Sequence, residues 1–213
     1  MNQPQWCSPM RRRISAIFLG LSLVPCIVSA QGQDDAVDTR RLTELLELRE
    51  GSTVADIGAG SGPLTIRVAQ LVGPSGRVFA TDVNPKRLEE IREAVAKAGL
   101  SNVTVVEGGS DDTRLPDDCC DAIFMRLVYH HFGDPPRMNG SMLRSLRRGG
   151  RVVVVDFAPK SGETAPPGKR GEGDAHGVTS AVVIRELAAA GFTDVTEVPW
   201  APPGFAVLAL RPR

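Results

Sequence analysis

Residues 54–62 read Val-Ala-Asp-Ile-Gly-Ala-Gly-Ser-Gly, an apolar run followed by glycine at every second position. The run predicts a buried parallel strand over Thr53–Ile57, a tight turn at the glycines, and a helix over Pro63–Val72. Glycine has no Cβ and tolerates positive φ, so the backbone of such a turn can approach a ligand closely. The free N–H groups of the following helix then favour polar ligand atoms.

Two classes of cofactor bind at turns of this kind, and the glycine spacing separates them. A dinucleotide fingerprint needs a glycine at position 63, where this chain has Pro63. The chain instead carries acid-x-Gly-x-Gly-x-Gly from Asp56 to Gly62. This pattern resembles motif I of the class I S-adenosylmethionine-dependent methyltransferases, of the small-molecule, methyltransferase-11-like type.

A second acid supports this resemblance. The next predicted strand, Arg77–Asp82, ends in Asp82, where this family and the dinucleotide binders both hold a ribose. The alternative role for Asp82 is to cap the helix that begins at Pro85.

Strands and helices alternate along the chain, which predicts a doubly wound α/β sheet with ligands at the carboxyl ends of its strands. The resemblance covers residues 38–213 and implies a single Rossmann-like domain, with a seven-stranded, mostly parallel sheet and an antiparallel last strand. The predicted helices are Asp38–Glu50, Pro63–Val72, Pro85 to about Gly99, a helix that continues through Leu143 and Leu146 to a turn at Gly149–Gly150, and Thr179–Ala190, capped by Thr179. The predicted strands are Thr53–Ile57, Arg77–Asp82, Val103–Val106, Asp121–Arg126, Arg151–Asp156, Thr193–Val198 and Phe205–Leu210.

The family resemblance also implies the cofactor, S-adenosylmethionine, and a set of residues that bind it. At the adenine position the family's usual Gly-Asp pair is Gly108-Gly109 here, so Asp111, Asp112 or the backbone reads the base. We favour Asp111 over the alternative that both acids are loop residues. The residues expected to bind the cofactor are Asp56, Gly58, Ala59, Gly60, Gly62, Asp82, Val83, Ser110, Asp111 and Arg126.

The expected catalytic residues follow the fourth strand, where the family commonly has a histidine pair followed by an acid. Tyr129, His130 and His131 are therefore expected to position the methyl acceptor, and a histidine to take its proton where it loses one. The alternative is that each histidine is structural or lies at the rim. His176 lies in a Gly- and Pro-rich segment, residues 159–176, expected to be a mobile loop over the site. No Cys or His pair has zinc-finger spacing, and no metal site is predicted.

Composition limits the partners. The chain has 213 residues with 25 basic and 25 acidic side chains, and three of the bases, Arg11, Arg12 and Arg13, precede an uncharged apolar run. The remainder is slightly acidic, which argues against nucleic acid as a partner. The expected partner is a small-molecule methyl acceptor, and nothing in the sequence indicates an oligomeric state.

The first 30 residues have the order of a signal peptide: a basic segment, an apolar segment and a small-residue site at Val28-Ser29-Ala30. We therefore divide the chain into a signal peptide or signal anchor (1–30), a linker (31–37) and a methyltransferase domain (38–213). The expected location is exported, periplasmic or membrane-tethered by an uncleaved leader, or cytoplasmic if the start is mis-called. Export conflicts with a cofactor that is made in the cytosol.

Two other functions remain open from the sequence. The missing acid at Gly109 fits a non-catalytic module that binds S-adenosylmethionine without turnover. A nicotinamide-dependent oxidoreductase is disfavoured by Pro63.

Overall fold

Seven strands form one sheet, with helices packed on both of its faces. The computed structural model describes residues 30–213. The strands are β1 Thr53–Ile57, β2 Arg77–Asp82, β3 Val103–Glu107, β4 Cys120–Arg126, β5 Leu146–Phe157, β6 Thr193–Val198 and β7 Gly204–Leu210. The helices are α1 Ala30–Leu46, α2 Pro63–Val72, α3 Pro85–Lys97, α4 Pro135–Ser145 and α5 Ser180–Ala189, with short 3₁₀ helices at Tyr129–His131 and Gly173–Ala175.

The strand order is β3-β2-β1-β4-β5-β7-β6, and every neighbouring pair is parallel except those made by β7. This confirms the predicted fold class, including the antiparallel last strand. The chain order reverses between β1 and β4, so the crevice at their carboxyl ends is the expected ligand position. The glycine turn begins at this crevice.

The central strands are buried on both faces, as expected for a parallel sheet covered by helices. In β5, Val152 and Val154 pack in one apolar cluster with α4 and α5, while Val153 and Val155 pack in the other with α1 and α2. Such a strand reads as a continuous apolar run because neither of its faces meets water. Among the helices of residues 30–213, none is long and apolar enough to cross a membrane.

The first helix differs from its prediction at both ends. It begins at Ala30 rather than Asp38 and ends at Leu46, after which Glu47 adopts a φ of 53°. Residues 31–37, where the sequence favoured a linker, are therefore helical. Leu48 lies beyond the helix but still packs in the core. Apart from its last residue, the expected leader, and with it the cleavage site, lies outside the described residues.

The predicted helix through Leu146 is wrong, because Leu146 is the first residue of β5 and pairs with Cys120 of β4. The turn at Gly149–Gly150 is also wrong, since both glycines bond to the backbone of Arg211 and stay in the strand. Long-range pairing overrides the local signals here. Thr179 is the N-cap residue of α5 but makes no capping hydrogen bond, because its hydroxyl lies 3.0 Å from that of Thr164.

Candidate active site

The glycine turn after β1 needs glycine for two different reasons. Gly58, Gly60 and Gly62 all have positive φ, at 70°, 59° and 84°. A Cβ on Gly58 would lie 2.5 Å from the side chain of Val128, whereas a Cβ on Gly60 would meet nothing within 4 Å. The backbone at Gly60 therefore borders open space that a ligand can enter.

Asp82 ties the end of β2 to this turn. Its Oδ2 accepts a hydrogen bond from the Gly60 N–H at 3.0 Å, and its Oδ1 accepts one from the Asn84 N–H at 2.9 Å. The cap of α3 is Asn84, whose side chain accepts from the N–H of Lys86. Asp82 is therefore not the helix cap, and its carboxylate remains at the rim of the crevice.

Three connected hollows lie along the carboxyl edge of the sheet. The Asp82 cavity has a volume of about 320 Å³ and the glycine-turn cavity about 220 Å³, and Gly58 belongs to both. The third, the Trp200 groove, has about 430 Å³ and shares Arg126 and Leu127 with the glycine-turn cavity. The Asp82 cavity is lined by Ile57, Gly58, Thr81, Asp82, Val83, Gly108, Gly109, Ser110, Asp112, Thr113, Val128, His131, Phe132 and Met138. The Trp200 groove is lined by Val37, Asp38, Arg126, Leu127, Val155, Phe157, Trp200, Ala201, Pro202, Pro203 and Gly204.

Most of the residues expected to bind the cofactor line these hollows. Val83 and Ser110 line the Asp82 cavity, while Ala59 and Gly60 line the glycine-turn cavity. Gly62 lies against Ile91 of α3, where it starts α2.

Asp111, which we expected to read the adenine, lies outside the lining of the Asp82 cavity. Its carboxylate pairs with Arg137 at 2.5 Å, and Asp112 rather than Asp111 lines the Asp82 cavity. Arg126 lines the glycine-turn cavity, but its guanidinium pairs with Asp35 at 2.8 Å and Asp38 at 2.7 Å, both on α1. Both partners of Arg126 lie far from it in the sequence, so these pairs form only in the folded chain.

Asp56 is a buried acid below the glycine turn. It is 3% exposed, and its Oδ2 accepts a hydrogen bond from the Thr65 hydroxyl at 2.6 Å. Burial raises the pKa of Asp56 to about 7, against the lowering effects of Thr65 and Arg126. Asp56 therefore fixes the start of α2 against β1 from below the turn.

Tyr129, which the sequence predicted to be catalytic, lies in the core. Its side chain is fully buried. Its hydroxyl donates a hydrogen bond to Glu186 at 3.0 Å and accepts one from Asn139 at 2.8 Å. Burial raises the pKa of the Tyr129 hydroxyl well above its ordinary value. The hydroxyl lines none of the three hollows.

The histidines meet on one side of the Asp82 cavity. His130 is 2% exposed, with Nδ1 2.8 Å from Asp156 Oδ1 and Nε2 3.1 Å from Nε2 of His176. His131 lines the cavity, and partial burial and the neighbouring histidines lower its pKa. Phe157 stacks edge-on against His130 and His176 and lines the Trp200 groove on its other side.

Comparison with known proteins shows the family. Residues 48–179 match the family described as "Methyltransferase domain". The chain belongs to this methyltransferase family. The ubiquinone/menaquinone biosynthesis C-methyltransferase of Marinomonas sp. is 33% identical over 117 residues, which are 54% of this chain and 47% of that protein. The chain spans about half the length of the curated relatives it matches.

Solved structures agree on the fold. A SAM-dependent methyltransferase from Aquifex aeolicus superposes with a TM-score of 0.70 at 27% identity, covering 82% of this chain and 89% of the other. A Haemonchus contortus phosphoethanolamine N-methyltransferase bound to S-adenosylmethionine has a TM-score of 0.70 at 15% identity, covering 83% of this chain and 53% of the other. The cofactor of this methyltransferase chain is S-adenosylmethionine.

The crevice fits that cofactor. The open space beside Gly60 admits a ligand against bare backbone, and the acidic rim at Asp82 offers hydrogen-bond acceptors to a ribose. The apolar lining of the Asp82 cavity, with Val83, Phe132 and Met138, suits a flat base.

Sequence reasoning missed Asp156, Glu186 and the Trp200 groove. Asp156 was visible as an acid that ends a buried strand, the same signal that identified Asp82. Glu186 had no local signal, because its partner Tyr129 is 57 positions away in the sequence. The groove had none either, because it forms where α1 meets the connection between β6 and β7.

Proposed function

We propose that this protein transfers the methyl group of S-adenosylmethionine to a small, largely apolar molecule held in the Trp200 groove. The observation that carries the proposal is that the groove and the glycine-turn cavity share Arg126 and Leu127. A donor on the glycine turn and an acceptor in the groove would therefore be adjacent. Val37 and Leu127 are exposed apolar side chains at the groove, 52% and 47% accessible.

The donor brings its own reactivity, because the bond from its methyl carbon to the sulfonium sulfur breaks as the bond to the acceptor forms. The protein then has to hold the two reactants in line, and such positioning can supply on the order of 7–11 kcal/mol. In the proposal, the glycine turn, Val83, Ser110 and Asp82 hold the cofactor. The relatives' name, ubiquinone/menaquinone biosynthesis C-methyltransferase, is compatible with an apolar ring as acceptor.

For an acceptor that loses a proton, we assign proton removal to the histidines. His131 lines the Asp82 cavity and not the Trp200 groove, so it takes a proton only from an acceptor that extends from the groove past Leu127 towards it. His130 stands behind His131 on Asp156. The lowered pKa of His131 keeps its imidazole uncharged near pH 7, with a nitrogen able to accept a proton.

The test uses methyl-labelled S-adenosylmethionine, the purified protein and a panel of hydroquinones, phenols and polar amines, with products identified by mass. Calorimetry without acceptor measures cofactor affinity separately. Asp82→Ala should weaken that affinity about tenfold or more, since hydrogen bonds to a charged group contribute roughly 1.5–3 kcal/mol. Trp200→Ala should leave cofactor affinity unchanged and raise KM for the acceptor.

Each part of the proposal has its own contrary outcome. No cofactor binding by the unmodified protein would reject the methyltransferase assignment. Tight binding with no transfer to any acceptor would favour the non-catalytic module instead. Equal acceptor KM in the unmodified protein and Trp200→Ala would move the acceptor out of the groove. Full turnover in His131→Ala and His131→Asn would make the histidines structural.

A further inference from the structure

All three histidines of the chain meet at one point, although they come from two separate segments. His130 and His131 lie in the 3₁₀ helix after β4, and His176 lies in the connection between β5 and α5. One ring nitrogen from each lies within 4.8 Å of the others. His130, His131 and His176 form the histidine cluster.

Asp156 fixes the orientation and the tautomer of His130. A carboxylate oxygen accepts hydrogen bonds, so Nδ1 of His130 donates to Asp156 Oδ1 over 2.8 Å. The other ring nitrogen, Nε2, then carries a lone pair that faces Nε2 of His176 at 3.1 Å. A carboxylate behind an imidazole in this arrangement is the usual outer partner of a metal-binding histidine.

The charge around Asp156 also favours a cation. Its side chain is fully buried and accepts from the backbone N–H groups of His130 and Phe157 in addition to the ring. Within residues 30–213, no arginine or lysine pairs with it. Buried charges are generally paired or close to a metal, and a cation on the far nitrogen of His130 would balance this one.

We propose that the histidine cluster binds a divalent transition-metal ion, with zinc as the best-fitting choice. Imidazole nitrogens suit zinc, and three protein ligands leave a fourth position open for water or an acceptor oxygen. With bonds of about 2.0–2.1 Å, two ligand nitrogens on a tetrahedral zinc lie about 3.3–3.4 Å apart. The 3.1 Å separation of His130 and His176 is close to this value, and the widest pair in the cluster, at up to 4.8 Å, has to close by about 1.4 Å.

Metal binding by the histidine cluster does not depend on methyl transfer. A bound metal would nevertheless affect the proposed methyl transfer. Imidazole nitrogens that hold a metal ion are not free to take a proton, so the metal and the proton compete for the histidine cluster. Zinc occupancy would therefore change how the site handles an acceptor.

The experiment is zinc titration of the purified protein, carrying no histidine tag, by calorimetry and by competition with a chromophoric chelator. We expect one equivalent to bind. His131→Ala and His176→Ala, both at less buried positions than His130, should each weaken binding by more than about 100-fold, and Asp156→Asn by about 10–100-fold, as outer-partner losses do. Addition of Co²⁺ should give the visible absorption of a tetrahedral site, which His131→Ala should lose.

Two matched controls separate the histidine cluster from other ligands. Cys119 and Cys120 are free thiols and could bind zinc themselves, so the double change to serine should leave the affinity unchanged. Met138→Leu alters the wall of the same cavity without removing a ligand and should also bind normally. Zinc binding that survives His131→Ala and His176→Ala together, or that disappears with the cysteines, would overturn the proposal. Neither outcome depends on finding an acceptor, so the failure of this inference is distinct from failure of the proposed function.

Discussion

At the scale of single residues, Asp56 carries a cost that depends on pH. The pKa of this carboxyl is raised from 3.8 to about 7, because burial disfavours the charged form more than Thr65 and Arg126 favour it. Between these two values the folded protein keeps a proton that the unfolded chain has released. The free energy of unfolding contributed by this group therefore falls as the pH rises through that window.

Replacing Asp56 by Asn should remove this dependence. We expect the stability of Asp56→Asn relative to the unmodified protein to rise by up to about 4 kcal/mol between about pH 4 and pH 8, since one pKa unit corresponds to 1.36 kcal/mol. Urea unfolding at several pH values measures it. Glu93→Gln, an exposed change, should give a flat difference over the same range. A flat difference for Asp56→Asn as well would contradict the raised pKa.

The same scale shows which site residues a sequence can predict. The glycines and Asp82 were identifiable because turn geometry and the end of a strand are local properties. Tyr129 and Asp111 have partners that the sequence did not indicate, since Glu186 and Arg137 reach them only in the folded chain. A match to a family motif thus predicts where in the fold a polar residue lies. Whether its side chain faces the ligand depends on its hydrogen-bond partners in the folded chain.

At the scale of elements, the segment between β5 and α5 is attached by a buried arginine. Arg170 is 2% exposed, pairs with Glu186 of α5 at 2.6 and 3.2 Å, and donates from Nε to the Ala165 carbonyl at 2.9 Å. The sequence predicted a mobile loop here because its glycines, prolines and charges have no periodicity. Nothing in the sequence indicated that Arg170 would be buried, because its partner Glu186 lies in the next helix.

Breaking that pair should destabilise the fold. Arg170→Met should lower the free energy of unfolding by about 1–3 kcal/mol, because it leaves the partly buried Glu186 carboxylate with the Tyr129 hydroxyl but without its charged partner. Urea unfolding measures the loss, and limited proteolysis should detect earlier cleavage within residues 158–179. Glu186→Gln keeps an acceptor for Tyr129 and should recover part of the loss in the double variant. Strictly additive effects of the two changes would exclude a coupled pair.

At the scale of the whole molecule, the alternation of strands and helices predicted the parallel sheet and the position of the crevice. It did not predict where α1 begins, because residues 31–37 contain few apolar side chains to mark a helix. Two of the acids on this helix, Asp35 and Asp38, hold Arg126 at the glycine-turn cavity. The start of the helix is therefore part of the site.

If the predicted signal peptide is removed, this attachment requires that the cut leave Asp35 and Asp38 in place. From the order of the first 30 residues we propose that the native protein begins near Gln31 and is exported; a cut there keeps both acids. Amino-terminal sequencing with cell fractionation measures it. A variant that begins at residue 39 loses both acids, and its cofactor affinity should fall because Arg126 is no longer held. An intact leader on protein from the soluble cytosolic fraction would refute export.

The position of β7 has a consequence for synthesis. β6 pairs only with β7 in the sheet, and β7 fills the space between β5 and β6 although it is made after both. While residues 204–210 are still inside the ribosome, β5 has an open edge and β6 has no neighbour. The growing chain therefore stays incompletely folded until these residues emerge, and an unfolded chain is the form that a secretion channel can thread.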